Sequence, residues 1–376
     1  SRAGSVGKSF LITHAPKSVF ASYLIRYRPI IDSKYVLYFL QSPYYWSRIS
    51  EEAAGIALQN VNATKLDALI LPVPPAEIQN RIVARIDALF DQIDDGETAL
   101  AEARAGVETY RKALLKAAVT GELTADWRRD NPPAETGQDL LRRILAERKA
   151  RWTTEPKVKK RDNDTANASD VGELVVLPAS WAWIKVAQAG LVQLGRQRTP
   201  KDHCGPHMRP YLRVANVYED RISTADVKQM NFTPSEFETF ELKHGDILLN
   251  EGQSLELVGR PAIFRGEVSG CCFQNTLIRF VASPAVDCEY ALLVFLDHLH
   301  SGRFQRIATI TTNIAHLGAS RLSDVEFPLP PLAEQREIVR RYRAYRNWTD
   351  ELDLKPPIIN QLRQSILSAA FRGELA

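Results

Sequence analysis

No run of apolar residues in this chain approaches the roughly 20 that a membrane-spanning helix requires, so such a helix is excluded. A secretory signal is also missing, and a cytoplasmic location is the expectation. The four cysteines, Cys204, Cys271, Cys272 and Cys288, lack disulfide-like spacing and fit reduced thiols. Neither sign of charge dominates: 48 Lys+Arg stand against 45 Asp+Glu, leaving a formal net charge of +3. Bulk charge therefore identifies no partner, although 376 residues suffice for two or three domains with proper cores.

Catalytic motifs are lacking too. Gly4-Ser-Val-Gly7-Lys8-Ser9 imitates the end of a phosphate loop, but the glycine that should precede Gly7 by five residues is Arg2. Asn131-Pro132-Pro133 imitates the tetrapeptide that holds a flipped base in amino-methyltransferases, yet its fourth position must be aromatic and is Ala134. No glycine-rich strand-to-helix turn for a methyl-donor cofactor is present. His203, Cys204 and His207 fall short of the four spaced ligands of a structural zinc. No catalytic residue, no metal and no cofactor of its own is assigned to this chain.

What the chain does have is an internal repeat. Pro72-Val-Pro-Pro-Ala-Glu-Ile-Gln79 returns as Pro328-Leu-Pro-Pro-Leu-Ala-Glu-Gln335, and Ala117-Ala-Val-Thr-Gly-Glu-Leu123 returns as Ala369-Ala-Phe-Arg-Gly-Glu-Leu375. Between these landmarks each copy carries a heptad. Ile86, Ile93, Leu100, Val107 and Leu114 recur every seven residues in the first, and Ile338, Tyr345, Leu352, Ile359 and Ile366 in the second. Apolar residues at that period predict two long helices that bury a narrow seam against each other. Pro356-Pro357 predicts a kink or break in the second. At ~1.5 Å per residue the first helix, from Ala76 to Val119, is a rod of order 60 Å, ended by Gly121.

The remaining segments are expected as follows. Residues 1–75 align with the back part of the later globular stretch (Val6-Gly7-Lys8 with Val258-Gly259-Arg260), so they are the end of a domain whose front is missing. Within them a strand is expected from Val19 to Tyr27, a helix from Ser33 to Trp46 and a short strand from Ala68 to Val73. The first spacer helix occupies 76–121. Residues 122–176 form a linker with a short basic helix from Gln138 to Trp152, and the polar stretch Lys157 to Asp170 cannot bury enough surface to fold alone. A second domain spans 177–332, with strands at Ala182 to Val186, Tyr211 to Ala215, Asp246 to Asn250, Pro261 to Arg265 and Thr276 to Val281, and a helix from Tyr290 to His300. The second spacer helix occupies 333–376. The fold class is α+β: two globular α/β domains, the first incomplete, separated by an antiparallel two-helix coiled coil.

Two such domains on a rod somewhat longer than one turn of DNA, roughly 34 Å, can touch two patches on one face of a duplex. Candidate readers cluster in the second domain: Arg196, Gln197 and Arg198 in a flexible loop, and Arg213, Asn216, Arg221, Arg260, Arg265, Gln274 and Asn275 at or beside strand ends. Arg, Asn and Gln make two-pronged hydrogen bonds to guanine or adenine edges. The basic run Arg142 to Arg161 suits phosphate or solvent. The competing reading is a coiled-coil scaffold that ignores nucleic acid.

Leu177-Pro-x-x-Trp181, Pro210-Tyr-Leu-Arg-Val-Ala-Asn216-Val, Leu242-Lys-His-Gly245-Asp246-Ile-Leu-Leu and the doubled landmarks, in this order, resemble the specificity subunit of type I restriction-modification systems over nearly the whole chain. That resemblance implies a non-catalytic subunit whose two target-recognition domains each read one half of a gapped site in double-stranded DNA. It implies that the helical pair docks two modification subunits, which methylate adenine at N6 with S-adenosylmethionine bound to them and not to this chain. A motor and nuclease subunit joins in restricting complexes.

Overall fold

A computed structural model of the chain describes residues 7–14, 17, 19–21, 24–53, 63–154, 175–311, 314–352 and 359–375. Contacts divide the chain into two units, one of Ser1–Gly106 with Asp353–Ala376 and one of Val107–Leu352. The phosphate-loop imitation at Gly4 to Ser9 lies partly outside the described residues, and Lys157 to Asp170 and Pro356-Pro357 wholly outside.

The first unit is helical. Helices α1 (Ser33–Phe39), α2 (Pro43–Ala53) and α3 (Ala63–Asp67) precede α4 (Ala76–Thr120), whose first two thirds belong here. The single helix expected from Ser33 to Trp46 is two, divided at 40–42. The strands expected at Val19 to Tyr27 and at Ala68 to Val73 do not form among the described residues. A strand exists only as one side of a ladder, and no described segment of this unit pairs with them. Tyr35, Tyr38, Ile82 and Ile86 build a core that is closed by Leu367 and Ala370 of the final helix, Ile359–Phe371. Phe371 meets Tyr35 at 5.3 Å and Phe39 at 5.4 Å between ring centroids. Arg363, two turns earlier, bonds Asp94 and lies 5.2 Å from the Phe90 ring centroid. The Tyr35 hydroxyl donates to the Pro72 carbonyl just ahead of α4 (2.8 Å), so the final helix runs antiparallel to α4.

The second unit contains the end of α4, then α5 (Ala125–Asp130) and α6 (Gly137–Thr154). Strand β1 (Ala182–Lys185), α7 (Val186–Ala189), β2 (Gly190–Leu194), β3 (Met208–Leu212), and the two-residue strands β4 (Val217–Tyr218) and β5 (Arg221–Ile222) follow. After them come β6 (Lys228–Asn231), α8 (Pro234–Phe240), β7 (Ile247–Asn250), β8 (Gly252–Gln253), β9 (Pro261–Ile263), β10 (Cys272–Phe273) and β11 (Leu277–Ala282). The unit closes with α9 (Cys288–His300), α10 (Arg303–Ile307), β12 (Thr309–Thr311), β13 (Ile314–His316), α11 (Ala319–Ser323), β14 (Glu326–Leu329) and α12 (Leu332–Leu352). The central sheet is antiparallel in the order β2-β11-β7-β9. Its strands are short, nearly continuous apolar runs because both faces are covered, and α9 lies against β9 and β11. Each strand expected from sequence in this unit is present, with ends shifted by up to three residues, and the helix expected from Tyr290 begins at Cys288.

One expectation is corrected here. Residues 125–154 are not simply a linker: Leu140 and Ile144 of α6 are 0% and 2% exposed within the main core, beside Leu114, Leu115, Ala118 and Val119 from the end of α4. Gly137, at the start of α6, is pressed so close to the β1–β14 pair that an added Cβ would sit 2.2 Å from the Leu329 carbonyl oxygen. Only glycine allows that approach.

The repeat is visible atom by atom inside each unit. Gln335 is fully buried; its Oε1 accepts from the Asp287 N–H (2.8 Å) and its Nε2 donates to the Pro330 carbonyl (2.9 Å). Gln79 does the same with Asp32 N–H (3.2 Å) and the Pro74 carbonyl (2.7 Å). Tyr290 donates to the Pro328 carbonyl (3.0 Å) as Tyr35 does to that of Pro72. Gly121 and Gly373 both take positive φ, +84° and +82°, so each helix ends in a left-handed cap that an L side chain resists. The copies differ at Glu334, where the first has Ile78. This 1%-exposed carboxylate accepts from Thr124 Oγ1 (2.7 Å), Arg128 Nε (2.8 Å) and Trp181 Nε1 (2.9 Å), joining α5, the head of β1 and α12.

The heptad seam is buried at its ends. Ile86, Ile93, Leu114 and Ile338 are buried; Leu100, Val107, Ile359 and Ile366 are half-buried. Tyr345 departs from expectation at 44% exposed, because α12 turns Tyr342 inward four residues after Ile338. An α-helix has about 3.6 residues per turn, so a strict seven-residue count drifts off the contact face. Leu352 is the last assigned residue of α12, and its side chain is outside the description.

Gln335→Leu keeps the shape but strands the Asp287 N–H. Loss of about 1 to 3 kcal/mol is expected, measured by urea unfolding of the second unit's transition, with Gln79→Leu acting in the same way on the first.

Candidate nucleic-acid interface

At one end of the central sheet four loops are stitched together by backbone hydrogen bonds. Gly195 N–H reaches the Leu277 carbonyl (3.1 Å), Asn275 N–H that of Arg196 (3.0 Å), Gln274 N–H that of Leu212 (3.0 Å) and Glu251 N–H that of Thr276 (2.9 Å). Val214 N–H adds a bond to Thr276 Oγ1 (3.2 Å). This rim gathers Arg196, Gln197 and Arg198, expected in a flexible loop, with Arg213, Gln274 and Asn275, expected at or beside strand ends.

Their side chains are not equivalent. Gln197 and Arg198 are exposed, and Gln274 and Asn275 are half-buried. Arg196 is held: Asp202 (3.0 Å) and Glu236 (2.9 Å) flank it, and it stacks over Phe232 at 5.3 Å. The two carboxylates raise the guanidinium pKa, and Arg196 with Thr199 holds the Asp202 carboxyl far below its ordinary range. Arg213 bonds Asp226, which Lys228 also pairs at 2.7 Å.

Asn216 requires a correction. It is 1% exposed; its Oδ1 accepts from Arg213 N–H (3.1 Å) and its Nδ2 donates to the carbonyls of Ser223 (3.1 Å) and Asp226 (3.2 Å). An amide spent on three backbone partners knits the turn between β3 and β4 and has nothing left for a base.

Beyond that turn the β4–β5 hairpin projects Tyr218, missed in the sequence. Arg221 and Arg260 stack on its ring at 4.5 and 4.8 Å from the centroid, a cation–π pair. Arg221 is exposed, whereas Arg260 is partly buried, donates to the Val217 carbonyl (2.7 Å), and has its pKa lowered by desolvation. The signal was a two-residue turn, Glu219-Asp220, between matching short strands. Arg265 is tied to the hairpin's turn: it faces Asp220 (2.9 Å) and Glu289 (3.4 Å) beside α9 and α12. Both of its carboxylate partners occupy it, so its place among the base readers is withdrawn.

A family model, the type I restriction modification DNA specificity domain, matches residues 1–103 and 182–363, one stretch on each copy of the repeat. The chain belongs to that family. It is 24% identical over 359 residues to the type I restriction enzyme EcoKI specificity subunit of Escherichia coli K12, covering 94% of this chain and 68% of that one. It is also 24% identical to the StySPI specificity subunit of Salmonella potsdam, covering 93% and 67%. Among solved structures, the HsdS subunit from Thermoanaerobacter tengcongensis superposes with a TM-score of 0.53 at 18% identity, covering 91% of this chain and 70% of that chain. A chain from a study of complex assembly and conformational transition of the type I R-M system superposes at 0.58 and 16% identity, covering 92% and 72%. Specificity subunits are the non-catalytic, DNA-recognising components of these systems, and this one fits among them. No described helix is long and apolar enough to cross a membrane.

On α9, burial raises the Asp297 carboxyl to about 6, with His300 and Lys116 opposing the rise. Glu219, 2.8 Å from His300, raises that imidazole. Both folded values exceed the unfolded ones, so each group's stabilising contribution is full below its unfolded pKa and is lost as pH rises through its folded pKa. For Asp297 that window runs from about 4 to about 6. Asp297→Asn is expected to flatten the fall in stability across it, as read by thermal melts at stepped pH.

Proposed function

We propose that the second unit reads one half of a gapped DNA site, with Gln197, Arg198, Gln274 and Asn275 on the rim and Arg221 on the hairpin as the contacting side chains. The observation that carries this reading is the convergence of four such side chains on loops stitched at one end of a sheet, with a fifth on the β4–β5 hairpin, in a chain that belongs to a DNA specificity family. Arg196, Arg213, Arg260 and Asn216 serve as the frame. Each is held by a carboxylate, an aromatic ring or backbone carbonyls, which fixes the loops before DNA arrives and lowers the ordering cost of binding. Exposed Arg and Gln on such a frame meet guanine and adenine edges, and lysines nearby meet phosphate.

The chain is further proposed to work in the cytoplasm with two modification subunits docked along its spacer helices. These supply S-adenosylmethionine and the methyl transfer to adenine N6, and restriction subunits join where cleavage follows. The first unit, by the repeat, corresponds to the back part of a second such reader.

Arg198→Ala and Arg221→Ala are each expected to weaken binding to the matching half-site by about 1 to 3 kcal/mol if the residue touches a base. If it touches phosphate, affinity falls for all sequences and the salt slope drops by about one. Asn216→Ala should instead lower stability. The test of the whole reading is to co-express the chain with its modification subunit and map N6-methyladenine across the host DNA. A two-part gapped motif is the expected result. A complex that assembles yet shows no sequence preference and no salt-dependent DNA binding would sustain the scaffold reading instead.

A further inference from the structure

Among described non-glycine residues, Asp220 alone has positive φ (46°). It occupies the second position of the β4–β5 turn, where glycine would sit without strain. An aspartate tolerates this region better than most residues, but something must hold it there. Its backbone N–H donates to the Pro261 carbonyl (2.9 Å), Oδ1 accepts from Arg265 (2.9 Å) and Oδ2 from Arg346 (3.1 Å). Arg265 also approaches Glu289 (3.4 Å), which in turn pairs Arg343 (2.6 Å). The charges alternate, Arg346, Asp220, Arg265, Glu289, Arg343, and the two end members stand one turn apart on α12. Glu219, the other turn residue, is tied to His300 at the end of α9.

We infer that Asp220 is a positioning residue, whose carboxylate fixes the hairpin bearing Tyr218 and Arg221 to the spacer helix α12 through Arg346. This rests on the reading of the hairpin as a DNA contact and adds how its position is set. A single carboxylate with both oxygens claimed, one by the neighbouring loop and one by α12, leaves the hairpin one orientation. The left-handed backbone is what brings those oxygens to face both arginines at once. A glycine would keep the turn and lose the tether. Strain of this kind persists where surrounding contacts over-determine it, and it gathers at functional sites. The arrangement also makes the spacer helix part of the recognition apparatus: a shift of α12 along its axis would carry Arg346, and with it the hairpin.

The test compares Asp220→Gly, Arg346→Met, the double variant and Arg221→Ala, each assembled with its modification subunits. Binding is measured to a duplex carrying the motif mapped for the unaltered chain and to one altered in the half-site read by the second unit. Glycine relieves the left-handed backbone, which offsets the two lost ion pairs, so Asp220→Gly should melt within about 3 °C of the unaltered chain. Its discrimination between the two duplexes should nonetheless fall about tenfold, the scale of one weakened contact. Arg346→Met should fall similarly and the double variant no further, since both cut one tether. Asp220→Asn, which accepts the backbone and keeps an acceptor oxygen, should recover part of the loss. A merely structural residue would move the melting temperature and leave discrimination alone. Unchanged discrimination in Asp220→Gly while Arg221→Ala loses it would overturn the inference. If Arg221→Ala also leaves discrimination unchanged, the hairpin is no reader, and the inference falls with that reading.

Discussion

A glutamine side chain buried where a helix leaves its domain is the constraint on which this architecture depends. Gln335 and Gln79 each bind the N–H at the head of an earlier helix, α9 or α1, and the carbonyl of the proline lead-in. A buried amide is costly unless all its valences are met, so the lead-in, the helix start and the domain are locked in one geometry. Without that lock a long helix would meet its domain at any angle the prolines allow, and a spacer of variable direction cannot hold a reading surface. In the second copy Glu334 extends the lock to Thr124, Arg128 and Trp181, so the end of one helix and the start of the other share a single buried carboxylate.

The reading surface is built on a similar economy. Its arginines are mostly not free: Arg196 and Arg213 face carboxylates, and Arg260 lies over the Tyr218 ring. Pairing of this sort contributes little net stability at the surface, but it fixes direction, and direction is what base recognition requires. The exposed members, Gln197, Arg198 and Arg221, then project from loops that are already ordered.

Much of the fold was legible because its punctuation is local. Helix α4 begins at Ala76 as expected and ends one residue beyond Val119, since Pro74-Pro75 and Gly121 act through their own backbone preferences. Strands β7 and β11 were legible as short apolar runs. What sequence did not reveal was long-range. Asn216 at the end of a strand has the chemistry of a reader, and only the carbonyls of Ser223 and Asp226 folding over it show that its amide is occupied. Arg196 gave no hint of Glu236, forty positions away. Leu140 and Ile144 stood four apart, the spacing of a buried helix face, but the basic charge around them drew attention to solvent. Tyr345 followed a seven-residue count that the helix itself does not keep.

Residues 359–375 lie at the end of the sequence yet belong to the core of the unit that begins it. Leu367, Ala370 and Phe371 close the cluster around Tyr35, Tyr38 and Ile86. On a ribosome, which emits the chain from its N-terminus at ~5 to 20 residues per second, the second unit has all its parts once Leu352 has emerged. The first must wait with Tyr35 and Ile86 uncovered until the last helix arrives. Between these segments, order of synthesis and order of completion are therefore reversed, and the smaller unit, whose two parts flank the other, stays open to chaperones and proteases while Val107–Leu352 is translated.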